Sequence, residues 1–183
     1  AGWNLAETPA VSVDAQENVY VFHRGEHPIM VFDKNGKFLR SFGDGVYAST
    51  HGLRVDKEGN IWTTDVENHV VLKMDSEGRI RMVLGRRGVA EEADDRFNMP
   101  TDVAIAPNGD IYISDGYGNS RIVQLSKDGS FIRAWGKRGA GPGEFNTPHS
   151  IALDKQGRVY VADRENFRIQ VFDSEGKFLQ QWG

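Results

Sequence analysis

The chain has 183 residues, 39% hydrophobic and 26% charged, a globular composition with apolar residues enough for one core and no sign of a second domain. Its formal net charge of -4 argues against a general nucleic-acid binder, and the absence of cysteine excludes disulfides and thiolate metal sites. No run of about 18 apolar residues exists to span a bilayer. Twenty-one glycines suit many short strands joined by turns. The opening ten residues hold no basic region followed by an apolar one, so no signal peptide is visible. They start inside a repeat-like phrase, as a mature form or a fragment would.

In chain order, the first copy of a repeat has a short strand ending at Asp14. Strands over 19–22, 28–33 and 38–42 follow, closed by Gly43. The second copy ends its first strand at Asp56 and continues over 61–64, 70–75 and 80–84, closed by Gly85. The third runs over 101–106, 111–114, 121–126 and 131–135 to Gly136. The fourth ends its first strand at Asp154 and runs over 159–162, 168–173 and 178–182 to Gly183. The first-strand ends lie 42, 50 and 48 residues apart. Turns such as Asn108-Gly109 and Asp128-Gly129 mark hairpins, because these residues tolerate positive φ.

Four strands in about 45 residues, repeated, predict an all-β β-propeller of four-stranded blades. The blades fall at about 9–50, 51–100, 101–148 and 149–183 of a single domain, 1–183, that is incomplete as a ring. An open β-solenoid is the runner-up, but its repeats are shorter and lack the four-strand order. Isolated, four such blades would expose a sheet face at each end, a route to self-association.

Strand order also fixes which rim carries unusual residues. The first strand of each blade lines the central channel. The linker into that strand and the loop between strands two and three open on the same rim. The Asn-Gly and Asp-Gly hairpins open on the other. His51 and His149 occupy the same repeat position at the start of the first strand, where the other copies have Pro9 and Thr101. Arg24, Tyr117 and Arg164 lie in the loops after strand two, and Arg86-Arg87 and Lys137-Arg138 lie in the linkers.

Two histidines aimed into one funnel suit zinc, although a catalytic zinc usually has three protein ligands and an open position. The simpler alternative is that both bond backbone between blades. Arg24 and Arg164 suit a carboxylate or phosphate, or else pair with Glu26 and Glu165. Tyr117, flanked by Gly116 and Gly118, is badly placed for packing and well placed to act as a base. His23 and His27 read as surface or hydrogen-bonding residues, and His69, aligned with Phe167, reads as packing. Asp65, Asp115 and Asp163 read as structural, bonding loop backbone. Phe42, Tyr112, Trp135 and Trp182 read as core.

The repeat grammar, apolar–Asp–x–x–Gly–x–apolar–Tyr–apolar–x–Asp followed by Arg-Ile-x-x-Phe and Gly-x-Phe, resembles the NHL repeat. The phrase Gly141-Pro142-Gly143-Glu144-Phe145-Asn146-x-Pro148 looks like its inter-blade linker. Longer phrases resemble peptidyl-α-hydroxyglycine α-amidating lyase in order and spacing. They are Phe22-His23-Arg24-Gly25-Glu26-His27, His51-Gly52-Leu53, Pro100-Thr101-Asp102-Val103-Ala104, 114–122, Pro148-His149-Ser150 and 162–170.

That resemblance implies a six-bladed, metal-dependent enzyme that cleaves a peptidyl-α-hydroxyglycine to a peptide amide and glyoxylate. Its substrate is a small peptide or α-hydroxy-amide bearing a carboxylate. The resemblance implies zinc at His51 and His149, Tyr117 as catalytic base, and Arg24 and Arg164 as active-site arginines. It also implies a structural calcium held partly by the backbone carbonyls of Val11 and Leu53, and a secreted or periplasmic setting. The family's third zinc histidine lies in a later blade than this chain contains, so a fragment, an assembly of copies or a small propeller are all open. The position of a disulfide found beside the tyrosine in vertebrate-type members is Gly118 here. The alternative function is a non-catalytic NHL module that binds protein, or RNA through the cationic rim.

Overall fold

In the computed structural model, which describes residues 5–183, the chain forms four four-stranded antiparallel sheets in sequence order. The reading of residues 1–4 lies outside that range. The first blade contains β1 (Ala10–Val13), β2 (Val19–Phe22), β3 (Ile29–Phe32) and β4 (Phe38–Phe42). The second contains β5 (Thr50–Val55), β6 (Ile61–Asp65), β7 (Val70–Met74) and β8 (Ile80–Leu84). The third contains β9 (Asp102–Ile105), β10 (Ile111–Asp115), β11 (Arg121–Leu125) and β12 (Phe131–Trp135). The fourth contains β13 (Pro148–Leu153), β14 (Val159–Asp163), β15 (Arg168–Phe172) and β16 (Phe178–Trp182). This is the all-β propeller architecture expected from the repeats.

Each blade is made by hairpins whose turns the sequence encodes. In the turn from β5 to β6, Gly59 adopts φ 81° and donates to the Asp56 carbonyl. The Asp56 carboxylate accepts the backbone N–H groups of Glu58 and Asn60. A residue with a Cβ is strained at that φ, so glycine fits. The last hairpin of every blade carries a register shift at the same place: Val31/Phe32, Lys73/Met74, Gln124/Leu125 and Val171/Phe172. The repeat is thus a repeat of backbone geometry as well as of residue type.

The hydrophobic core lies between blades. Alternate residues of a strand face opposite neighbours. Ile61, Val70, Leu72 and Met74 of the second blade pack on Tyr20, Phe22, Ile29 and Val31 of the first. Trp62 and Val71 pack the other way, on Val103, Ile111, Ile113 and Val123 of the third. Tyr112 and Ile122 meet Val159, Val161 and Phe172 of the fourth, with Phe145 of the linker between them. Burying each such large side chain stabilises the fold by about 1.5–3 kcal/mol. The four inner strands lie side by side, β1 on β5, β5 on β9 and β9 on β13, and line the channel as expected.

Two core expectations are corrected. Trp182, on the outer strand of the fourth blade, is 49% exposed. Its counterpart Trp135 is covered by Phe172 and Gly176 of the next blade. His69 and Phe167 do occupy equivalent positions, both with left-handed backbone (φ 58° and 53°), but Phe167 does not pack and the half-buried His69 also carries a hydrogen bond. Phe167 is 84% exposed, and His69 Nδ1 accepts the N–H of Met99 at 3.1 Å.

Candidate active site

The two channel histidines lie on the first strands of the second and fourth blades, and both strands are irregular where the histidine sits. Pairing of β5 with β6 shifts between Thr50 and Leu53, and pairing of β13 with β14 shifts between Pro148 and Ser150. The first strands of the other two blades pair without a shift. A bulge turns a side chain away from its regular alternation. His51 and His149 therefore leave the strand pattern together, and their rings meet with centroids 4.7 Å apart.

Tyr117 comes from the loop between β10 and β11. Its backbone N–H bonds the Met99 carbonyl at 3.3 Å, and that of Gly118 bonds the Asn98 carbonyl at 3.0 Å. The flanking glycines permit this approach. A Cβ on Gly116 would lie 1.9 Å from the Pro148 carbonyl oxygen, and one on Gly118 would lie 2.1 Å from Asn98 Cγ. Held there, the Tyr117 hydroxyl reaches His51 Nε2 at 3.0 Å and His149 Nε2 at 2.9 Å. Arg164, in the 3-10 turn Arg164–Asn166, donates to the same oxygen at 3.3 Å and lies over the ring, its guanidinium carbon 5.2 Å from the centroid.

The hydrogen bonds assign protons. His51 Nδ1 lies 2.7 Å from the Thr101 carbonyl, which can only accept, so Nδ1 carries the hydrogen and Nε2 presents a lone pair. The Tyr117 hydroxyl then donates to His51 Nε2, and His149 Nε2–H and Arg164 donate to the Tyr117 oxygen. Thr101, which fills the same repeat position as the histidines, also reaches the Pro148 carbonyl at 2.9 Å through its hydroxyl. It links three blades around the channel. The repeat alignment showed Thr101 at that position, but its orienting role was not read from it. The alternative that the histidines bond backbone between blades describes His51 Nδ1, while Nε2 stays on the site.

Electrostatics keep both rings neutral. Burial lowers the His51 pKa; the Thr101 carbonyl opposes this, and the charges of Arg24 and Arg164 add to it. Burial, His51 and Arg164 push His149 down to about 4, against the pull of Glu165. Burial works against the Arg164 charge, but Glu165 and Tyr117 outweigh it and raise its pKa.

Arg24 lies near enough for its charge to act on His51, but its guanidinium pairs with Glu7 rather than Glu26. Arg164 also pairs with Glu165, at 2.8 Å. Of the linker cations, Arg87 bonds the Val46 carbonyl at 3.0 Å and Lys137 pairs with Glu144 at 3.3 Å, so part of the rim's charge is used locally. His23 is buried rather than on the surface; its Nδ1 accepts from Gly25 at 3.1 Å. His23 Nε2 and Thr50 Oγ1 have no hydrogen-bond partner, and both residues line a cavity of about 90 Å³ beside Arg24. His27 pairs with Asp44 at 3.0 Å. Asp65, Asp115 and Asp163 accept linker N–H groups from Ala48, Asn98 and Asn146, the structural role expected of them.

Among the described residues, no group of three or more His, Asp or Glu side chains is arranged to hold a metal. Neutral imidazoles are the donor chemistry that zinc accepts: His51 presents its Nε2 lone pair, oriented through its second nitrogen as metal-bound histidines are, whereas His149 would have to move its Nε2 hydrogen to Nδ1 to bind a metal through Nε2. Val11 lines a cavity together with His51 and His149, and Leu53 is a fully buried core residue two positions after His51. The Leu53 carbonyl accepts Arg54 Nη1 at 2.9 Å. No helix among the described residues is long and apolar enough to cross a membrane.

Comparison with known proteins agrees with the repeats. The NHL repeat family matches residues 97–125 and 145–172. The chain is 38% identical over 205 residues to peptidylglycine α-amidating monooxygenase of Rattus norvegicus, covering 93% of this chain and 21% of that protein. It is 32% identical over 216 residues to peptidyl-α-hydroxyglycine α-amidating lyase 1 of Drosophila melanogaster, covering 97% and 40%. It is 40% identical over 190 residues to NHL repeat-containing protein 3 of Homo sapiens, covering 96% and 54%. The chain thus spans from about a fifth to about half of these relatives. A streptogramin B lyase structure superposes with a TM-score of 0.75 at 18% identity, over 100% of this chain and 56% of that one, a likeness of fold. The chain is an NHL-repeat β-propeller protein homologous to the peptidylglycine α-amidating monooxygenases and peptidyl-α-hydroxyglycine α-amidating lyases.

Proposed function

We propose that the chain carries the rim of a carbon–nitrogen lyase that converts a peptidyl-α-hydroxyglycine, or a related α-hydroxy-amide, to an amide and glyoxylate. The observation that supports this most is the Tyr117 hydroxyl, shared by Nε2 of His51, Nε2 of His149 and the Arg164 guanidinium. A phenol needs no such company for packing. A phenolic oxygen that must take and return a proton gains from donors which stabilise its charged form.

His51 and His149 would hold a zinc ion, which when bound would supply Lewis-acid polarisation of the substrate oxygen. With Tyr117 as the phenolate, held by the Arg164 guanidinium, its oxygen would accept the proton of the substrate hydroxyl. The electrons of that O–H bond close the C=O of glyoxylate as the N–Cα bond breaks. The proton then passes from Tyr117 to the departing amide nitrogen, which restores the phenolate and balances the reaction. Arg164 and Arg24 would bind the substrate carboxylate and orient the α-carbon toward Tyr117.

The human relative's name carries no activity, so a binding module is the rival reading. One experiment separates them: glyoxylate release from a peptidyl-α-hydroxyglycine by purified protein, with zinc measured on the same sample. Metal-dependent release supports the lyase. Its absence from the zinc-loaded full chain removes that reading and leaves the module.

A further inference from the structure

The inner strands line a cavity of about 200 Å³ whose lining includes Val11, His51, Arg54, Asp102 and His149. Arg54 and Asp102 form its charged floor. Arg54 Nη2 is 2.5 Å from Asp102 Oδ2, and Arg54 Nη1 donates to the Leu53 carbonyl at 2.9 Å. The same carboxylate accepts the N–H of Ile151 at 3.2 Å through Oδ2 and that of Val103 at 2.9 Å through Oδ1. One guanidinium and one buried carboxylate thus join β5, β9 and β13. The strands are close-packed there, since a Cβ on Gly52 would lie 2.8 Å from Asp102 Oδ1 and from the Thr101 carbonyl oxygen.

A structural calcium, which the lyase resemblance implies at the carbonyls of Val11 and Leu53, needs six to eight oxygen ligands and net negative charge around it. These residues do not offer that. The Leu53 carbonyl already accepts from a cation, and Asp102, the only carboxylate among the described residues lining the cavity, is paired with the same cation. A divalent ion brought to Leu53 would meet the guanidinium at close range.

We propose that in this chain the Arg54 guanidinium does the work of a channel calcium, bridging the Leu53 carbonyl and the Asp102 carboxylate, so that the inner strands are tied without a divalent ion. This role is independent of the lyase chemistry at the rim. An arginine suits it because its planar fork can satisfy a carbonyl and a carboxylate together.

The test is thermal unfolding of the full chain, freed of metal with a chelator that is then removed, with and without millimolar calcium. Terbium luminescence reports binding directly. Wild-type protein and Arg54→Lys should show no calcium-dependent rise in Tm and no saturable terbium signal that Asp102→Asn abolishes. Arg54→Ser frees the carbonyl and the carboxylate. It should unfold at lower temperature and recover by about 5 °C or more when calcium is added. Arg54→Ser combined with Asp102→Asn should recover nothing. If Arg54→Ser does not fold, Arg54→Gln, which keeps the stem and removes the charge, gives the same reading. Saturable calcium stabilisation of the wild type that Asp102→Asn removes would overturn the proposal. So would neutral Arg54 variants that gain no calcium binding. None of these readouts involves glyoxylate, so failure here is distinct from failure of the lyase reading.

Discussion

The phenolic oxygen of Tyr117 stands 2.9 Å from Nε2 of His149, although the residues come from different blades and are separated by 32 positions in the chain. The contact exists because a loop glycine lets the tyrosine approach the linker and a bulge swings the histidine out of its strand. Removing only the hydroxyl isolates its chemistry. Tyr117→Phe should leave the urea midpoint near that of the wild type and lower glyoxylate release by about 10²–10⁴-fold, the range for a lost acid–base group. Zinc content should be unchanged. A loss of zinc equal to the loss of activity would show instead that the hydroxyl serves the metal site.

Acid should destabilise the metal-free protein, and His149 should carry a visible part of the effect. Its pKa lies near 4 when folded, against about 6.5 when unfolded. Between those values the unfolded chain binds a proton that the folded chain refuses. Stability is therefore full above about pH 6.5 and falls as pH drops toward 4. His51 acts in the same direction. Asp102 acts in the opposite one: burial outweighs Arg54 and pushes its carboxyl up to about 6, so its contribution favours the folded state as pH falls. Comparing wild type with His149→Gln cancels the Asp102 effect. Urea midpoints at about pH 7.5 and 4.5 should fall more for the wild type than for the variant. An equal fall in both would assign acid sensitivity elsewhere.

Much of the fold was legible because propeller blades are made from local signals. The turn at Asp56 to Gly59 and the last strands, Phe38–Phe42 and Phe178–Trp182, are written in neighbouring residues. The shared rim of His51, Tyr117, His149 and Arg164 followed from strand order alone. The bulges under the histidines were not legible, because a bulge is a relation to the partner strand and β5 alone does not show it. Nor was the partner of Arg24 legible: Glu26 is close in sequence, but Glu7 is close in space. Trp182 misled for a similar reason. Its residue type matches Trp135, but burial depends on the sheet that comes next.

The Arg-Ile phrase that opens the third strand of the last two blades predicts a large structural effect. Arg121 and Asp115 are both almost fully buried and bonded at 2.9 Å. Arg121 Nη2 also donates to the carbonyls of Ala93 at 2.8 Å and Arg96 at 2.9 Å, pinning the long linker between the second and third blades. Arg121→Ala would leave a buried carboxylate with one fewer donor and remove a donor from each of two linker carbonyls, of which that of Ala93 keeps the Arg96 N–H. It should lower unfolding free energy by about 3–5 kcal/mol in urea titrations, the range for breaking a buried pair from one side. A cost under about 1 kcal/mol would mean that water replaces the guanidinium and that the linker is held by other contacts.

Gly116 offers the sharpest separation of packing from chemistry. It touches no substrate in the proposed reaction, yet a methyl group there would stand 1.9 Å from the Pro148 carbonyl oxygen, which is backbone and cannot rotate aside. Gly116→Ala must therefore push the Tyr117 loop away from β13, the strand that carries His149. The cost of such overpacking is about 1–3 kcal/mol, measurable as a lower urea midpoint. The same displacement lengthens the Tyr117–His149 contact, so lyase activity should fall by a larger factor than stability alone explains at a temperature where the variant is fully folded. Full activity in a folded Gly116→Ala protein would show that the hydroxyl need not stand between the two imidazoles, and would remove the geometric basis for Tyr117 as the base.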